Sequence, residues 1–425
     1  MIVMYLRGSK WSMNNRKPAR PNWFRIILLC LLVLGGSYVN RYIIAPLPSP
    51  FLPTPTVTRA PESYVTEAEE YFKQGKLISA IESYKQAIIV RPDDPATHIA
   101  LARVQVWAGQ YKDGKTSAED ALLLSPDNSM AYAVRAWALD FLGDYLEAES
   151  SVKRALELDP NNAMAHAYYV EILVDSYLDG GGSFEGVAKA IDESKVAIAL
   201  APDTLETHRA RGYILEATAN YEDAVREYQA AIAINGKIAD LHLALGRNYR
   251  TLGIYDKAVE EFTNANALNP DDPTPDLLIS RTYATIGEYG KAEQYAKSAV
   301  DNNPTDANLR GNLGVMYYRN LDWPKSVIEL GYVVKGGANE NGQPIEAIDL
   351  VPDVRIAEYY FTYGLVLSHL NRCGEALQVA QMILARVPAD ELAVGNANEI
   401  INRCQQNLTK TPEPPADVPT ETPTP

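Results

Sequence analysis

The segment YFKQGKLISAIESYKQAIIVRPDDP, residues 71–95, carries the pattern that decides the fold. Its apolar residues recur at helical spacing on both sides of Gly75. Glycine ends a helix readily because it adopts the left-handed backbone conformation at low cost, and Pro92 marks the end of the second half. The segment therefore predicts two amphipathic helices joined at Gly75.

The same pattern returns at a fixed spacing along the chain. Pro92, Pro126 and Pro160 are equally spaced, and Pro270 and Pro304 are separated by the same step. A glycine stands half a step before each of these prolines, at Gly75, Gly109, Gly143, Gly253 and Gly287. One pair of helices cannot bury its own apolar face, so neighbouring pairs have to stack on each other. The spacing therefore predicts an all-α array of helix pairs.

This repeat resembles the tetratricopeptide repeat (TPR) family, most of whose signature positions occur in order in residues 71–95. The resemblance implies a right-handed superhelical solenoid over residues 62–390, closed by a cap helix at 391–408. It implies about nine helix-turn-helix units, with the bounds 61–94, 95–128, 129–162, 163–204, 205–238, 239–272, 273–306, 307–356 and 357–390.

The repeat pattern is interrupted at three places. The fourth unit contains an insertion around VDSYLDGGGS, and the fifth has Gly236 where proline is usual. The eighth unit ends in a long loop, residues 335–353. A loop of this length in a compact array is either a functional segment or a tolerated surface insertion.

Charge separates residues 1–60 from the rest. The whole chain has a formal charge of -15, yet residues 1–60 contain eight Lys or Arg and no Asp or Glu. Six of these precede the apolar run Ile26–Val39, so the positive-inside rule keeps the basic segment 1–22 in the cytoplasm. Residues 23–44 are interpreted as a single-pass transmembrane signal anchor, which places the array outside the cytoplasm. A cleaved signal peptide and a soluble protein with an unusual N-terminus are the alternatives.

Proline-rich segments flank the predicted array. Residues 45–61 contain APLPSPFLPTPTVTRAP, whose prolines prevent a helix and favour an extended, semi-rigid stalk. Residues 409–425 have a similar composition and are predicted to be a disordered tail. The stalk would hold the array away from the membrane.

Several kinds of chemistry are excluded or disfavoured. An acidic chain is a poor partner for nucleic acid, whose phosphates require a basic face. Residues 109–116 satisfy the P-loop pattern, but they follow a predicted helix where a P-loop follows a strand, so no nucleotide site is predicted. Four histidines occupy equivalent repeat positions, too far apart for one metal ion, and are predicted to pack between helices: His98, His166, His208 and His242.

The remaining titratable residues indicate no catalytic centre. Carboxylates are abundant, but they are expected at solvated positions on helix faces. No segment of domain size remains outside the repeats. The sequence therefore predicts no cofactor, no metal ion, no catalytic residue and no enzymatic activity.

Two cysteines are expected to lie close together. Cys373 falls at the start of the second helix of the last unit, and Cys404 falls near the end of the cap helix, which should run antiparallel beside it. Outside the cytoplasm the pair could form a disulfide. Two free buried thiols are the alternative.

The resemblance also implies a concave surface lined by the first helix of each unit, where TPR ligands usually lie. The repeat register places aromatic residues, arginines and the carboxylate of Glu171 on that surface, with these candidate groove residues among them: Trp137, Phe141, Arg209, Tyr213, Arg247, Arg250, Arg281 and Arg319. Arginine suits a carboxylate because its planar fork donates two parallel hydrogen bonds. The alternative is that these arginines pair with helix carboxylates such as Glu216 or Asp240 and bind nothing.

The function predicted from these features is a membrane-anchored scaffold for protein–protein interaction. A peptide segment of a partner, acidic or carboxylate-bearing, would bind in the concave groove. The Lys/Asn clamp of TPR domains that bind carboxylate ends is absent. An alternative function is that of an assembly subunit of an envelope complex, which packs through its repeat surface without a peptide ligand.

Overall fold

The computed structural model describes residues 22–39, 41–42 and 59–409, and the chain divides into two units between Arg59 and Ala60. In the first unit a helix of 17 residues, α1, spans Trp23–Val39. No helix in the described residues combines the length and apolarity needed to span a membrane. Almost all of the predicted basic segment, stalk and tail lies outside the described residues.

The described part of the second unit consists of helices in consecutive pairs. The pairs are α2 Pro61–Lys73 and α3 Leu77–Val90, α4 Pro95–Trp107 and α5 Tyr111–Leu124, α6 Ser129–Phe141 and α7 Tyr145–Leu158, α8 Ala163–Leu178 and α9 Phe184–Leu200, α10 Leu205–Ala217 and α11 Tyr221–Ile234, α12 Ala239–Thr251 and α13 Tyr255–Leu268, α14 Pro273–Thr285 and α15 Tyr289–Asn302, α16 Ala307–Arg319 and α17 Trp323–Lys335, and α18 Val354–His369 and α19 Cys373–Arg386. A last helix, α20 Glu391–Thr409, packs against α18 and α19.

Small residues allow the two helices of a pair to approach closely. A Cβ atom at Gly246 in α12 would lie 2.5 Å from the ring of Phe262 in α13, and one at Gly314 in α16 would lie 2.6 Å from Leu330 in α17. Ala68, at the same position of the first pair, is fully buried. The fixed small position therefore sets the spacing within each pair.

The turns between pairs explain why acidic and amide residues follow the prolines. The side chain of Asp94 caps α4 by accepting a hydrogen bond from the backbone N–H of Ala96, and Asn128 caps α6 in the same way. Within the pairs, Gly75 and Gly109 adopt positive φ values of 73° and 74° at the turn. The glycine and proline signals therefore mark the helix ends.

The first helices of successive pairs line one side of the array. Helix α6 contacts α4 and α8 directly, α8 contacts α10, and α16 contacts α18. In a curved stack of helix pairs, equivalent helices of successive pairs lie closest to each other on the inner side. The first helices therefore form the concave face. The prediction of an all-α array of stacked pairs is confirmed for the described residues, apart from one short β-ribbon.

That ribbon lies in the long loop after α17. Strand β1, Gly337–Ala338, pairs antiparallel with β2, Pro344–Ile345. Asn339 holds the intervening turn by accepting hydrogen bonds from the backbone N–H groups of Asn341 and Gln343. Ile345 and Leu350 are buried, and Leu350 belongs to the hydrophobic core of the last helix pairs. The loop is therefore a packed segment of the array.

A contact that the repeat pattern did not predict closes the N-terminal half of the array. The side-chain amide of Asn235, after α11, donates a hydrogen bond of 3.2 Å to the carbonyl oxygen of Phe72 in α2. Arg103 in α4 lies 3.5 Å from Glu206 in α10. The first two pairs therefore touch the fifth, and the concave face between them is enclosed.

Cys373 and Cys404 are joined in a disulfide, with Cα atoms 5.4 Å apart. The bond connects the first residue of α19 to the C-terminal half of α20. It holds the last helix against the last pair.

Candidate functional site

The structure separates the eight predicted groove residues into two groups. Trp137, Phe141, Arg209, Tyr213 and Arg247 surround the enclosed part of the concave face. The remaining three arginines line a pocket further along the same face, between α12, α14, α16 and α18: Arg250, Arg281 and Arg319.

Arg209 is at the centre of the enclosed group. Its Nε donates to Asp240 at 3.0 Å and its Nη1 donates to Glu171. The guanidinium also lies 5.2 Å from the ring of Trp107 and 5.7 Å from that of Trp137, within cation–π range. The guanidinium therefore already has two anionic partners and aromatic contacts within the chain.

Trp137 is packed into the same group. It is 1% exposed, its ring stacks on Tyr168 with centroids 4.5 Å apart, and its Nε1 donates to Glu171 at 2.8 Å. Arg247 pairs with Glu216 at 3.1 Å. The alternative in which arginines pair with neighbouring carboxylates is therefore observed for Arg209 and Arg247.

Beside this group lies an acidic pocket of about 550 Å³, which has four carboxylates in its lining: Asp140, Glu171, Asp175 and Asp240. Asp140 and Glu171 are each only 2% exposed, so the expectation that the carboxylates are solvated is wrong for them. Burial, together with the negative charge of Asp175, raises the pKa of Asp140 well above its usual range. Burial likewise raises the pKa of Asp175, although its hydrogen bond from the Tyr213 hydroxyl acts in the opposite direction.

The repeat register predicts part of this pocket. Glu171 lies on the inner face, as the repeat register predicts, and Asp175 lies one repeat after Phe141, another residue predicted on that face. The equivalence places both carboxylates on the enclosed side. Asp140, which precedes Phe141, lies between two such positions and gives no separate signal.

The second pocket, here called the arginine pocket, has a volume of about 430 Å³. Four arginines line it together with a single carboxylate, Glu358: Arg250, Arg281, Arg319 and Arg355. Glu358 lies 3.7 Å from Arg319 and 3.5 Å from Arg355. Within residues 59–409, no carboxylate lies within ion-pair distance of Arg250 or Arg281.

The charged forms of Arg250 and Arg281, the two arginines without a carboxylate partner, are destabilised in the pocket. The Nε of Arg281 is buried and has no hydrogen-bond acceptor among the described residues. Burial and the positive charge of Arg355 lower the pKa of Arg281, and burial and Arg281 lower that of Arg250. An anion in the pocket would relieve both effects.

Sequence reasoning missed Arg355 and Glu358. Both lie in α18, which follows the long loop at residues 336–353. The loop interrupts the regular repeat step, so the register that assigned the other groove residues could not be carried across it.

The histidines pack between helices. His208 and His242 lie 2.7 Å and 2.6 Å from Glu227 and Glu261 on the second helices of their own pairs. Among the described residues, no three His, Cys, Asp or Glu side chains are arranged to hold a metal ion. The P-loop pattern spans the α4–α5 turn, and its Lys115 lies within α5.

Comparison with known proteins identifies the repeats. Models described as tetratricopeptide repeat match residues 71–138, 131–162 and 197–273. The presence of tetratricopeptide repeats in the chain is therefore confirmed. No curated protein matches the chain.

Several solved structures resemble part of the array. A tetratricopeptide repeat protein from Parabacteroides merdae is 16% identical, covers 60% of this chain and 98% of its own, and has a TM-score of 0.39. PilW, described as a type IV pilus biogenesis factor, is 20% identical, with 48% and 91% covered and a TM-score of 0.43. YrrB, described as a TPR protein with an unusual peptide-binding site, is 19% identical, with 44% and 92% covered and a TM-score of 0.33.

Proposed function

We propose that this chain is a non-enzymatic scaffold that binds a carboxylate-bearing segment of a protein partner in the arginine pocket. Stacked helix pairs present a preformed concave surface, as expected of a protein-interaction scaffold built from tetratricopeptide repeats. The observation that carries the finer proposal is that Arg250 and Arg281 face the pocket without a carboxylate partner among the described residues.

The charge of the pocket is opposite to that of the chain. The chain has a net charge of -15, yet four arginines and one carboxylate line this cavity. Unpaired buried charges cost stability, so an arrangement of this kind favours a ligand that supplies the missing anion. A carboxylate fits best because each guanidinium can donate two parallel hydrogen bonds to it.

The pocket is held by rigid elements, which lowers the cost of binding. The side-chain amide of Asn312 in α16 donates to the hydroxyl of Ser280 in α14 at 3.0 Å. The hydroxyl of Tyr359 in α18 donates to the carbonyl oxygen of Asn308 in α16 at 3.2 Å. These hydrogen bonds fix three of the four helices around the pocket before a ligand arrives.

A peptide library displayed with a free C-terminus tests the proposal. The full chain is expected to enrich peptides that carry Asp, Glu or a terminal carboxylate at one fixed position. The double variant Arg250→Gln, Arg281→Gln should lose that enrichment, because it removes the two unpaired cations. Its melting temperature should not fall, since neither arginine has an ion pair to lose.

Arg226→Gln is the matched control. Arg226 lies on the second helix α11, its side chain is 70% exposed, and it pairs with Asp223 one turn away. It should select the same peptides as the unaltered chain. Enrichment of the same acidic peptides by the double variant would show that the arginine pocket does not bind them.

The placement of the array outside the cytoplasm is a second part of the proposal. It is supported by the basic residues that precede α1 and by the disulfide between Cys373 and Cys404, a bond typical of oxidising compartments. Alkylation of the chain isolated from its native cells, without reductant, should leave both cysteines unmodified in mass spectrometry. Modification of both would contradict an extracytoplasmic location.

A further inference from the structure

We propose that, in the absence of a partner, the arginine pocket is occupied by an acidic segment of the same chain, residues 411–421, which follows α20. The inference rests on the proposed function and deepens it, because a partner segment would have to displace this one. The acidic segment would then act as a competitor built into the chain, and only a partner that binds more tightly would be captured.

The charges of the pocket and of the acidic segment complement each other. Arg250 and Arg281 have no carboxylate partner among the described residues, and Glu358 is shared by Arg319 and Arg355. The lining therefore has an excess of three positive charges. The acidic segment contains no Lys or Arg and has three carboxylates: Glu413, Asp417 and Glu421. Complementary charge of this kind favours association of the two.

The pocket is accessible to such a segment. The side chains of Arg319 and Arg355 are 48% and 50% exposed, and Arg250 and Arg281 are less exposed. The buried Nε of Arg281 has no hydrogen-bond acceptor among the described residues. A carboxylate can therefore contact the two exposed guanidinium groups and supply the negative charge that the other two lack.

The acidic segment starts beside a helix that lines the pocket. The side-chain amide of Asn407 in α20 donates to the carbonyl oxygen of Ser368, near the C-terminal end of α18, at 3.2 Å. The disulfide of Cys404 holds α20 against the last pair. Arg355 and Glu358, near the other end of α18, line the pocket. Helical rise places Ser368 about 15 Å from Glu358 along α18.

The length of the segment is sufficient to reach the pocket. The path runs about 15 Å along α18 and crosses from α20 to α18, a step of about 10 Å. An extended proline-rich chain covers up to about 3.1 Å per residue. Asp417 and Glu421 follow Thr409 by eight and twelve residues, so they can lie up to about 25 Å and 37 Å from the end of α20. Asp417 and Glu421 are therefore the expected ligands, and Glu413 is too close to α20.

A tethered segment competes well even when its contacts are weak. A short flexible tether gives an effective concentration on the order of 1 mM. A segment that binds the pocket with a dissociation constant of about 0.1 mM would then weaken the binding of a partner about tenfold.

The test uses the full chain with its three segment carboxylates neutralised by Glu413→Gln, Asp417→Asn and Glu421→Gln. In calorimetry, an acidic peptide selected by the unaltered chain should bind this triple variant about tenfold more tightly, because the tethered competitor has lost its charge. A synthetic peptide of residues 410–425, amidated at its C-terminus, should also bind the triple variant. It should not bind when Arg250→Gln and Arg281→Gln are added.

The matched control removes the same number of negative charges elsewhere, by Asp179→Asn, Glu185→Gln and Glu222→Gln. All three residues are exposed and lie outside the arginine pocket. At physiological salt, which screens distant surface charges, this variant should bind the selected peptide as the unaltered chain does. A gain equal to that of the triple variant would assign the effect to net charge and overturn the inference.

The remaining outcomes separate the inference from the proposed function. Equal affinity of the triple variant and the unaltered chain for the selected peptide would overturn the inference and leave the proposed function intact. A triple variant that binds the 410–425 peptide but selects no other acidic sequence would support the inference and contradict the proposed function. The gain should not depend on protein concentration. A gain that does would show that the segment comes from a second copy, and would overturn occupation by the same chain.

Discussion

At the scale of single residues, the concave face contains charges of two kinds. Arg209 and Glu171 satisfy each other in a buried pair, whereas Arg250 and Arg281 are left without a partner of opposite charge among the described residues. The first kind contributes to the fold, because removal of one partner would leave the other charge buried. The second kind costs stability and is better explained by a ligand.

The pair between Arg209 and Glu171 leads to a stability prediction. The side chain of Arg209 is 13% exposed and that of Glu171 is 3% exposed, so solvent screens neither charge well. Arg209→Met should lower the free energy of unfolding by about 3–5 kcal/mol, measured by denaturant unfolding of the full chain. Arg226→Met, at an exposed ion pair, should change it by less than about 1 kcal/mol. Equal effects of the two substitutions would contradict a structural role for Arg209.

Asp140 leads to a prediction about pH. Burial and the charge of Asp175 raise its pKa in the folded chain, so above about pH 4 the folded chain holds a proton that the unfolded chain releases. Stability is then lost as the pH rises above that value. Asp140→Asn removes this loss and should melt at a higher temperature than the unaltered chain at pH 7. The melting temperatures of Asp140→Asn and the unaltered chain should converge near pH 4.

Charged groups on every neighbouring element act on Asp140. Glu171 and Asp175 on α8 raise its pKa, and Arg209 on α10 lowers it. Asp240 and Arg247 on α12 line the same pocket. Asp179→Asn leaves these groups in place and should keep the pH dependence of the unaltered chain. The same dependence in Asp140→Asn would show that Asp140 does not hold the proton.

At the scale of elements, helix ends and helix spacing could be predicted from the sequence. The prolines and glycines mark ends because each acts on its own turn, and Asp94 and Asn128 cap the next helix. The pairing of helices follows from a local periodicity. The short ribbon at residues 337–345 could not be predicted, because neither of its two-residue strands has a periodic pattern.

The small position in the first helix of each pair gives a prediction at this scale. Gly246→Ala would place a Cβ 2.5 Å from the ring of Phe262, a fully buried residue that has little room to move. The substitution should destabilise the chain by about 1–3 kcal/mol. Gly290→Ala is the control, since no atom from outside the neighbouring backbone of α15 lies within 4 Å of its added Cβ.

Alanine is the better helix former, so Gly290→Ala should stabilise the chain by up to about 1 kcal/mol. The melting temperatures of Gly246→Ala and Gly290→Ala should shift in opposite directions from that of the unaltered chain. A neutral effect of Gly246→Ala would mean that the two helices of the pair are not held at the observed spacing.

At the scale of the whole array, curvature decides which part of the predicted groove is open. The contact of Phe72 with Asn235 and that of Arg103 with Glu206 enclose the N-terminal half. Such contacts join residues far apart in sequence and depend on small rotations summed over several pairs. The repeat register could therefore place side chains on the inner face without showing which of them were accessible.

The outcome for the candidate site follows from this. Arg250, Arg281 and Arg319 line a pocket, as the register indicated, whereas Trp137 and Arg209 are packed within the chain. Whether any of them contacts a partner stays a prediction. The proposed function depends on the four arginines that surround one pocket in an acidic chain.

The most direct measurement is calorimetry with one acidic peptide selected by the full chain and the same peptide with its carboxylates converted to amides. The carboxylate form should bind at least about tenfold more tightly, and Arg250→Gln with Arg281→Gln should abolish the difference. Equal affinities of the two forms for the unaltered chain would contradict the proposed function.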